Sequence, residues 1–376
     1  ALGAKEGLTR CVGGAVRDEL LPLPANDVDL ATRLKPDQVV ERLQAAGIKA
    51  VPTGFDHGTV TGVSSGQPVE GRRLRRDVST DGRRATVAFT DDWKEDAARR
   101  DFTINALSAD PQTGEVFDYF GGIEDLKARR VRFIGDAFQR IAEDHLRILR
   151  FFRFHARFGL GAPDEGALEA CAARANDLMA LSRERIADEL IKLLSVADPT
   201  PTVAIMLQKA ILRPVIPEIE PDAADRLRRL VAAEQRAKAS PDALRRLSTL
   251  LPREPAIAER VAVRLKLSTK ARKRLSCAAN GDLERSATAL AYYCGRDCAV
   301  DRLLLADQTA DAELIADWHA PKLPIGGGEL IKRGMPAGPR VARTLRSIER
   351  DWVDAGFPDG AELEAIIARA LSARDG

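Results

Sequence analysis

The stretch Cys11-Val12-Gly13-Gly14-Ala15-Val16-Arg17-Asp18, followed by Asn26-Asp27-Val28-Asp29-Leu30, decides how the rest of the chain is read. Arg10–Val12 reads as a short strand, the paired glycines end it, and the residues after them read as a helix. A strand that runs through two glycines into a helix lets the backbone come close to a phosphate, with helix N–H groups directed at it. Asp27 and Asp29 are separated by one residue, and on a strand that spacing puts both carboxylates on one face. Two like charges held so close call for a cation between them. Hard oxygen ligands select Mg²⁺, and paired Mg²⁺ ions are the common device for in-line phosphoryl or nucleotidyl transfer. An isolated pair of this kind is only two exposed aspartates at a turn; the Gly-Gly turn and helix in front of it favour the metal reading.

Around this segment lie 376 residues, 58 basic against 56 acidic for a net charge of +2, with 45% hydrophobic and 30% charged. At roughly 100–200 residues per domain, two to four domains are expected. The composition excludes a disordered chain, and near-neutrality excludes a uniformly basic coat, so any polyanion site has to be local. No uncharged apolar run reaches the roughly 18–20 residues that cross a bilayer, and Ala1–Arg10 lacks the apolar core of a signal peptide. A soluble, cytoplasmic chain is expected. The five cysteines, Cys11, Cys171, Cys277, Cys294 and Cys298, are odd in number and scattered, with no CxxC or HExxH. Neither a disulfide framework nor a zinc site is expected. Cys294 and Cys298 stand one helical turn apart and could share a face, yet none of the four histidines is near them in sequence, so ordinary burial is the expectation.

Up to about Asp118 the chain reads as mixed strand and helix, with β-type runs at Arg10–Val12, Asp27–Leu30, Thr59–Val63 and Thr86–Phe89. After about Asp136 the periodicity becomes helical, as in Leu146, Leu149, Phe152, Arg153 and Ala156. Pro214 and Pro217, Pro252 and Pro255, and Pro321 and Pro324 are breaks between helices or subdomains. The fold class expected is α+β, a small mixed-sheet head followed by a long helical stem, with Phe151, Phe152, Phe154 and Phe158 as core at the seam. From Lys127 to Arg157 nine basic residues face three acidic ones, and from Lys322 to Arg350 seven face two. Two such stretches on a balanced protein suggest separate footprints for an extended polyanion, although a solvated helix face would look the same.

Two further clusters carry polar chemistry. Arg99-Arg100-Asp101-Phe102-Thr103-Ile104-Asn105 puts arginines beside an Asp and an Asn one helical turn apart, suited to a triphosphate, a ribose hydroxyl and a base. In Glu143-Asp144-His145-Leu146-Arg147, continued by Arg150 and Arg153, helical spacing makes Asp144 and Arg147 neighbours. They are either a surface ion pair or an acceptor and a donor set facing the edge of a base; spacing leaves both open.

These segments, with Phe120-Gly121-Gly122-Ile123-Glu124-Asp125-Leu126 and Ser182-Arg183-Glu184-Arg185-Ile186, resemble in order the motifs of the bacterial class II tRNA nucleotidyltransferase and poly(A) polymerase family, the CCA-adding enzymes, from Cys11 to Leu194. The resemblance implies a polymerase-β-like nucleotidyltransferase head over residues 1–126, a helical neck with a nucleotide-selecting motif over 127–195, a helical body over 196–255 and a tRNA-binding tail over 256–376. It implies addition of CMP and AMP from CTP and ATP to the tRNA 3′ end, with Mg²⁺. By the same resemblance Asp27 and Asp29 hold the metal, and Gly13, Gly14 and Arg17 lie on the triphosphate side. Arg100, Asp101 and Asn105 handle the nucleotide and its ribose, Asp144 and Arg147 select the base, and Arg150 and Arg153 add nucleotide or phosphate contacts. Asp77–Trp93, including Asp81-Gly82-Arg83-Arg84, corresponds to the family's flexible loop. Glu70-Gly71-Arg72-Arg73 departs from the family, where an apolar residue and two threonines follow the glutamate; Glu70 is read as an auxiliary carboxylate. Gly338-Pro339 starts a helix carrying Arg340, Arg343 and Arg346 toward RNA phosphates. The alternatives are a poly(A) polymerase, an enzyme limited to CC or A addition, or a silent RNA-binding protein. The absence of GxxxxGK[ST] argues against a nucleotide hydrolase.

Overall fold

In the computed structural model, which describes residues 2–21, 28–64, 66–80 and 85–372, the strand before the glycines is β1 (Thr9–Val12) and the helix after them is α1 (Gly14–Leu20). There follow β2 (Asp29–Thr32), α2 (Pro36–Ala45), β3 (Lys49–Gly54), β4 (Thr59–Ser64), β5 (Gln67–Arg73), β6 (Arg75–Thr80), β7 (Ala85–Phe89), α3 (Trp93–Ala98), β8 (Ser108–Ala109) and β9 (Val116–Phe117). The main sheet runs β3-β4-β5-β2-β1-β8-β9, antiparallel except for the parallel β2–β5 pair. That parallel pair has a consequence for the site, because it sets Asp29 beside Glu70. Asp27 lies outside the described residues.

Part of the stretch read as a flexible loop, Asp77–Trp93, has strand structure. β6 and β7 form a separate antiparallel hairpin in which Asp77 pairs with Val87 and Thr80 with Ala85. Asp81–Arg84 lie outside the described residues.

Helices take over from α4 (Gly122–Lys127), through α5 (Ala137–Glu143), α6 (Arg147–Phe158), α7 (Glu165–Ala173), α8 (Arg183–Leu194) and α9 (Thr200–Gln208). Helix α6 shows why its sequence folds as it does. Ile148, Leu149, Phe151, Phe152 and Phe158 form its buried face, while Arg150, Arg153 and Arg157 recur every three or four residues on the side that carries charge. Phe102, Phe133, Phe151 and Phe154 pack with ring centroids 5.0–6.3 Å apart, so the expected aromatic core is present and ties the strand-rich part to α6. Each such buried ring contributes about 1.5–3 kcal/mol.

The chain divides into two compact units, Ala1–Pro217 and Glu218–Gly376. The division falls inside the stretch 196–255 expected as a single body, because α9 packs on α6 and Pro214 and Pro217 interrupt the helix behind it. The second unit comprises α10 (Ala223–Arg236), α11 (Ala243–Leu250), α12 (Pro255–Arg264), α13 (Thr269–Ala278), α14 (Ala287–Cys294), α15 (Arg296–Leu305), α16 (Thr309–Leu314), α17 (Gly327–Lys332), α18 (Pro339–Asp354) and α19 (Gly360–Ser372). One apolar cluster joins α10, α14, α15 and α16, and another joins α17, α18 and α19. A buried ionic network lies in the same unit: Glu234 accepts from Arg245 and Arg246, and Asp301 accepts from Arg245 and Arg274.

The expectation of no disulfide is overturned by a bond between Cys277 on α13 and Cys298 on α15. Twenty-one positions separate the two in sequence, and only the packing of these helices brings them together. Among the described residues no helix is long and apolar enough to cross a membrane.

Candidate nucleotide and metal site

Gly13 joins β1 to α1 with φ +71°, a conformation open to glycine and strained for other residues. Its N–H donates to the Leu107 carbonyl at 3.0 Å. A Cβ built on it would lie 2.6 Å from Arg100 Nη1. The glycine is therefore required twice, by the turn and by the guanidinium beside it, and the start of α1 is left open to a ligand. Arg17, further along α1, is buried; it donates to Asn105 Oδ1 at 2.5 Å and to Asp18 Oδ1 at 2.8 Å, and lies over the Phe158 ring. Burial pushes its pKa down, against the pull of Asp18.

Asp29 and Glu70 are register partners on adjacent parallel strands, so their side chains stand on one face. Arg72, two residues after Glu70, donates to Asp29 Oδ2 at 3.2 Å and stands 3.6 Å from Glu70 Oε1. The unusual Arg72 of the sequence is thus a cation between two carboxylates. Two carboxylates sharing a cation at the edge of a cleft are the donor set a hard divalent ion takes.

Asp101 precedes a single 3₁₀ turn, Thr103–Asn105, that Asn105 ends, in place of the helical turn their spacing suggests. They still meet: Asn105 Nδ2 donates to Asp101 Oδ1 at 2.9 Å, as does the Phe102 N–H. Arg150 of α6 donates to Asp101 Oδ2 at 2.7 Å. Burial pushes the Asp101 carboxyl up, but the Arg150 charge and these hydrogen bonds together hold it below the ordinary value of 3.8. A carboxyl lowered on folding stabilises the protein above its unfolded pKa and loses that contribution as pH falls through the folded value. Asp101→Asn is therefore expected to be less stable than the parent at about pH 7, with the gap closing below about pH 4. Urea unfolding of both proteins across that range checks it; a constant gap removes the charge from the explanation. Arg153 donates to the buried Glu189 at 2.6 Å and covers the Phe154 ring.

The expected neighbour pair Asp144 and Arg147 is not an ion pair. Asp144 ends α5 with extended backbone, φ −153°, and Arg147 opens α6, so no continuous helix sets their spacing. Asp144 is held by Arg185 of α8 at 2.9 Å, whereas Arg147 donates to Glu143 at 2.6 Å and to the Arg140 carbonyl at 2.8 Å. Each is fixed from behind by a different partner, and both line one cleft.

That cleft, of about 790 Å³, is lined by Gly13, Gly14, Asp29, Arg100, Asp101, Asn105, Asp144, Arg147, Arg150 and Arg153, together with Arg17. Among its lining side chains nine are basic and four acidic, a strong local excess on a chain of net charge +2. Arg99 of the second cluster also lines it, as do Arg72, Arg75, Asp96 and Lys192, to which sequence reasoning gave no role. Arg75 is the most telling: its Nε is buried with no hydrogen-bond partner among the described residues, and burial, with Arg99 and Arg72 nearby, pushes its pKa down to about 10. It is still charged at neutral pH and suited to a phosphate oxygen. A signal for it existed in the run Arg72-Arg73-Leu74-Arg75-Arg76, but not for which arginine faces inward. Arg343 and Arg346 are exposed on α18, opposite the buried Ile348, Trp352 and Val353; Arg340 begins the same helix.

Residues 9–132 match the family model described as "Poly A polymerase head domain", and residues 162–222 that described as "Probable RNA and SrmB- binding site of polymerase A". The mouse protein named CCA tRNA nucleotidyltransferase 1, mitochondrial, is 34% identical over 93% of this chain and 83% of its own length. The CCA-adding enzyme of Levilactobacillus brevis is 31% identical over 95% of this chain and 92% of its own length. Among solved structures, the Bacillus stearothermophilus CCA-adding enzyme in complex with CTP superposes with a TM-score of 0.77 at 27% identity, covering 98% of this chain and 95% of that one.

Proposed function

The chain belongs to the CCA tRNA nucleotidyltransferase family, and on that premise we propose that it adds CMP and AMP from CTP and ATP to the 3′ end of tRNA in the cytoplasm. The observation that carries this reading is a single basic cleft lined by the Gly13–Gly14 turn, Asp29, Asp144 and Arg147, with Glu70 the register partner of Asp29 on the next strand.

Enzymes of this kind use divalent metal ions; here the ion is Mg²⁺, held by Asp29 with Asp27, and Glu70 is an auxiliary carboxylate. When bound, the ions supply charge neutralisation at the α-phosphate and a lowered pKa for the attacking hydroxyl. The chain's own residues do the positioning. The open start of α1 with Arg75 and Arg100 takes the triphosphate, and Asp101 and Asn105 place the ribose. Arg17 holds Asn105 in place from behind. Asp144 accepts and Arg147 donates at the edge of the base, with Arg150 and Arg153 beside them. The RNA 3′-hydroxyl attacks the α-phosphate and pyrophosphate leaves; no side-chain nucleophile takes part. Residues 1–126 act as head, 127–195 as neck, 196–255 as body and 256–376 as tail, where Arg340, Arg343 and Arg346 meet tRNA phosphates.

Incubation with tRNA lacking its CCA end, with each nucleotide alone and together, followed by reading the product's 3′ sequence, tests the proposal. Termination at CCA is expected; long A tracts without use of CTP would replace it with a poly(A) polymerase. In the same assay Arg147→Ala is expected to cost about 10²-fold in correct incorporation and to admit wrong nucleotides, with tRNA affinity unchanged. Equal loss of tRNA binding would make Arg147 a structural partner of Glu143 only.

A further inference from the structure

We propose that the reduced protein binds a Zn²⁺ ion in its second unit through Cys277, Cys294 and Cys298, with His319 as the fourth ligand. No residue of this site belongs to the nucleotide cleft. The three cysteine sulfurs lie within 4.8 Å of one another, and all three line a surface cleft of about 520 Å³ together with His319. They come from the last turn of α13, the end of α14 and the first turn of α15. Gly295, with φ +85°, turns the chain between the last two, so that Cys294 and Cys298 converge from separate helices. Histidine was missing from the sequence neighbourhood; His319, in the segment after α16, lines the same cleft.

Tetrahedral zinc with Zn–S bonds of about 2.3 Å needs sulfurs about 3.8 Å apart, inside the 4.8 Å that encloses the three. The Cα atoms of Cys277 and Cys298 are 6.2 Å apart, room for either a bond or a shared ion. Cys298 sits at the start of α15, where the helix dipole favours a thiolate. The surroundings also suit an anion: Lys270, Lys273 and Arg296 line the cleft. Zn²⁺ with three thiolates and a neutral imidazole carries one negative charge, which these cations balance, whereas a disulfide carries none.

Binding requires the Cys277–Cys298 bond to open. A phosphine reductant does this with balanced chemistry: the phosphine is oxidised to its oxide with oxygen from water, and both sulfurs are released as thiols. Zn²⁺ then displaces the protons of three thiols.

The test uses the full chain, reduced with a phosphine without oxygen, freed of reductant and titrated with Zn²⁺ alone or Co²⁺ alone. Expected are a single bound ion per chain and, with Co²⁺, thiolate-to-metal charge-transfer absorption with the intense d–d bands of a tetrahedral site. Cys294→Ser, which leaves the other two sulfurs in place, should weaken Zn²⁺ binding by about 100-fold, and the exposed His319→Ala by about 10-fold. The unreduced chain should bind none, and Cys11→Ser with Cys171→Ser should bind as the parent does. Unchanged Zn²⁺ affinity in Cys294→Ser or His319→Ala, loss of binding in the Cys11 and Cys171 double variant, binding by the unreduced chain, or a Co²⁺ spectrum without thiolate bands would each overturn the proposal.

Discussion

Asp29→Asn is expected to lower nucleotide incorporation by about a thousandfold, some 4 kcal/mol of lost transition-state stabilisation, while tRNA affinity stays as in the parent. Asparagine keeps the shape and one acceptor oxygen, and Arg72 retains Glu70 close by at 3.6 Å. What is removed is one negative charge on a strand face that borders a cleft already rich in cations. With fewer anionic ligands a hard cation is held more weakly, and the triphosphate meets uncompensated charge as the pyrophosphate departs. Incorporation of labelled CMP, measured beside tRNA binding over a range of Mg²⁺ concentrations, separates the outcomes. Unchanged incorporation would remove Asp29 from the metal site. Parallel loss of tRNA binding would mean that the substitution had disturbed the sheet.

The second large effect concerns stability. Glu234→Ala is expected to destabilise the second unit by about 3–5 kcal/mol, because it strips a carboxylate from buried arginines. Arg246 is 1% exposed and Arg245 6%, so neither can turn to water without unpacking α11. Both donate to Glu234, Arg245 at 2.8 Å and Arg246 at 2.9 Å. Arg245 keeps Asp301 at 2.9 Å, and both guanidiniums lose a buried carboxylate. For a unit whose total stability is about 5–15 kcal/mol, the loss is a large share. Denaturant unfolding of the full chain should show an early transition in the variant, partly restored by Glu234→Gln, which keeps an acceptor. A change below about 1 kcal/mol, the scale of exposed pairs, would show that the network is solvated in solution.

Local chemistry was legible in the residues themselves. Gly13 marks a backbone conformation that other residues resist, and the β-type run holding Asp29 was visible as such. The apolar face of α6, with Phe151, Phe152 and Phe158, follows from a 3.6-residue period. These are properties of a few consecutive positions, and sequence records them directly. The reading failed where it extended local periodicity across a break. Asp144 and Arg147 have helical spacing, yet the chain leaves the helical conformation at Asp144, and the partner of Asp144 is Arg185, 41 positions on.

The amino-acid order alone therefore determined the turn before α1, the strand and helix that flank it, and the division into a strand-rich start and a helical remainder. Only the folded chain decided which charges meet: Arg72 between Asp29 and Glu70, Arg150 on Asp101, Cys277 with Cys298 and Cys294. The reason is physical. Backbone preference and side-chain period act over one or two turns, whereas a hydrogen bond or ion pair is selected by which faces the burial of apolar surface presses together, whatever the distance along the chain.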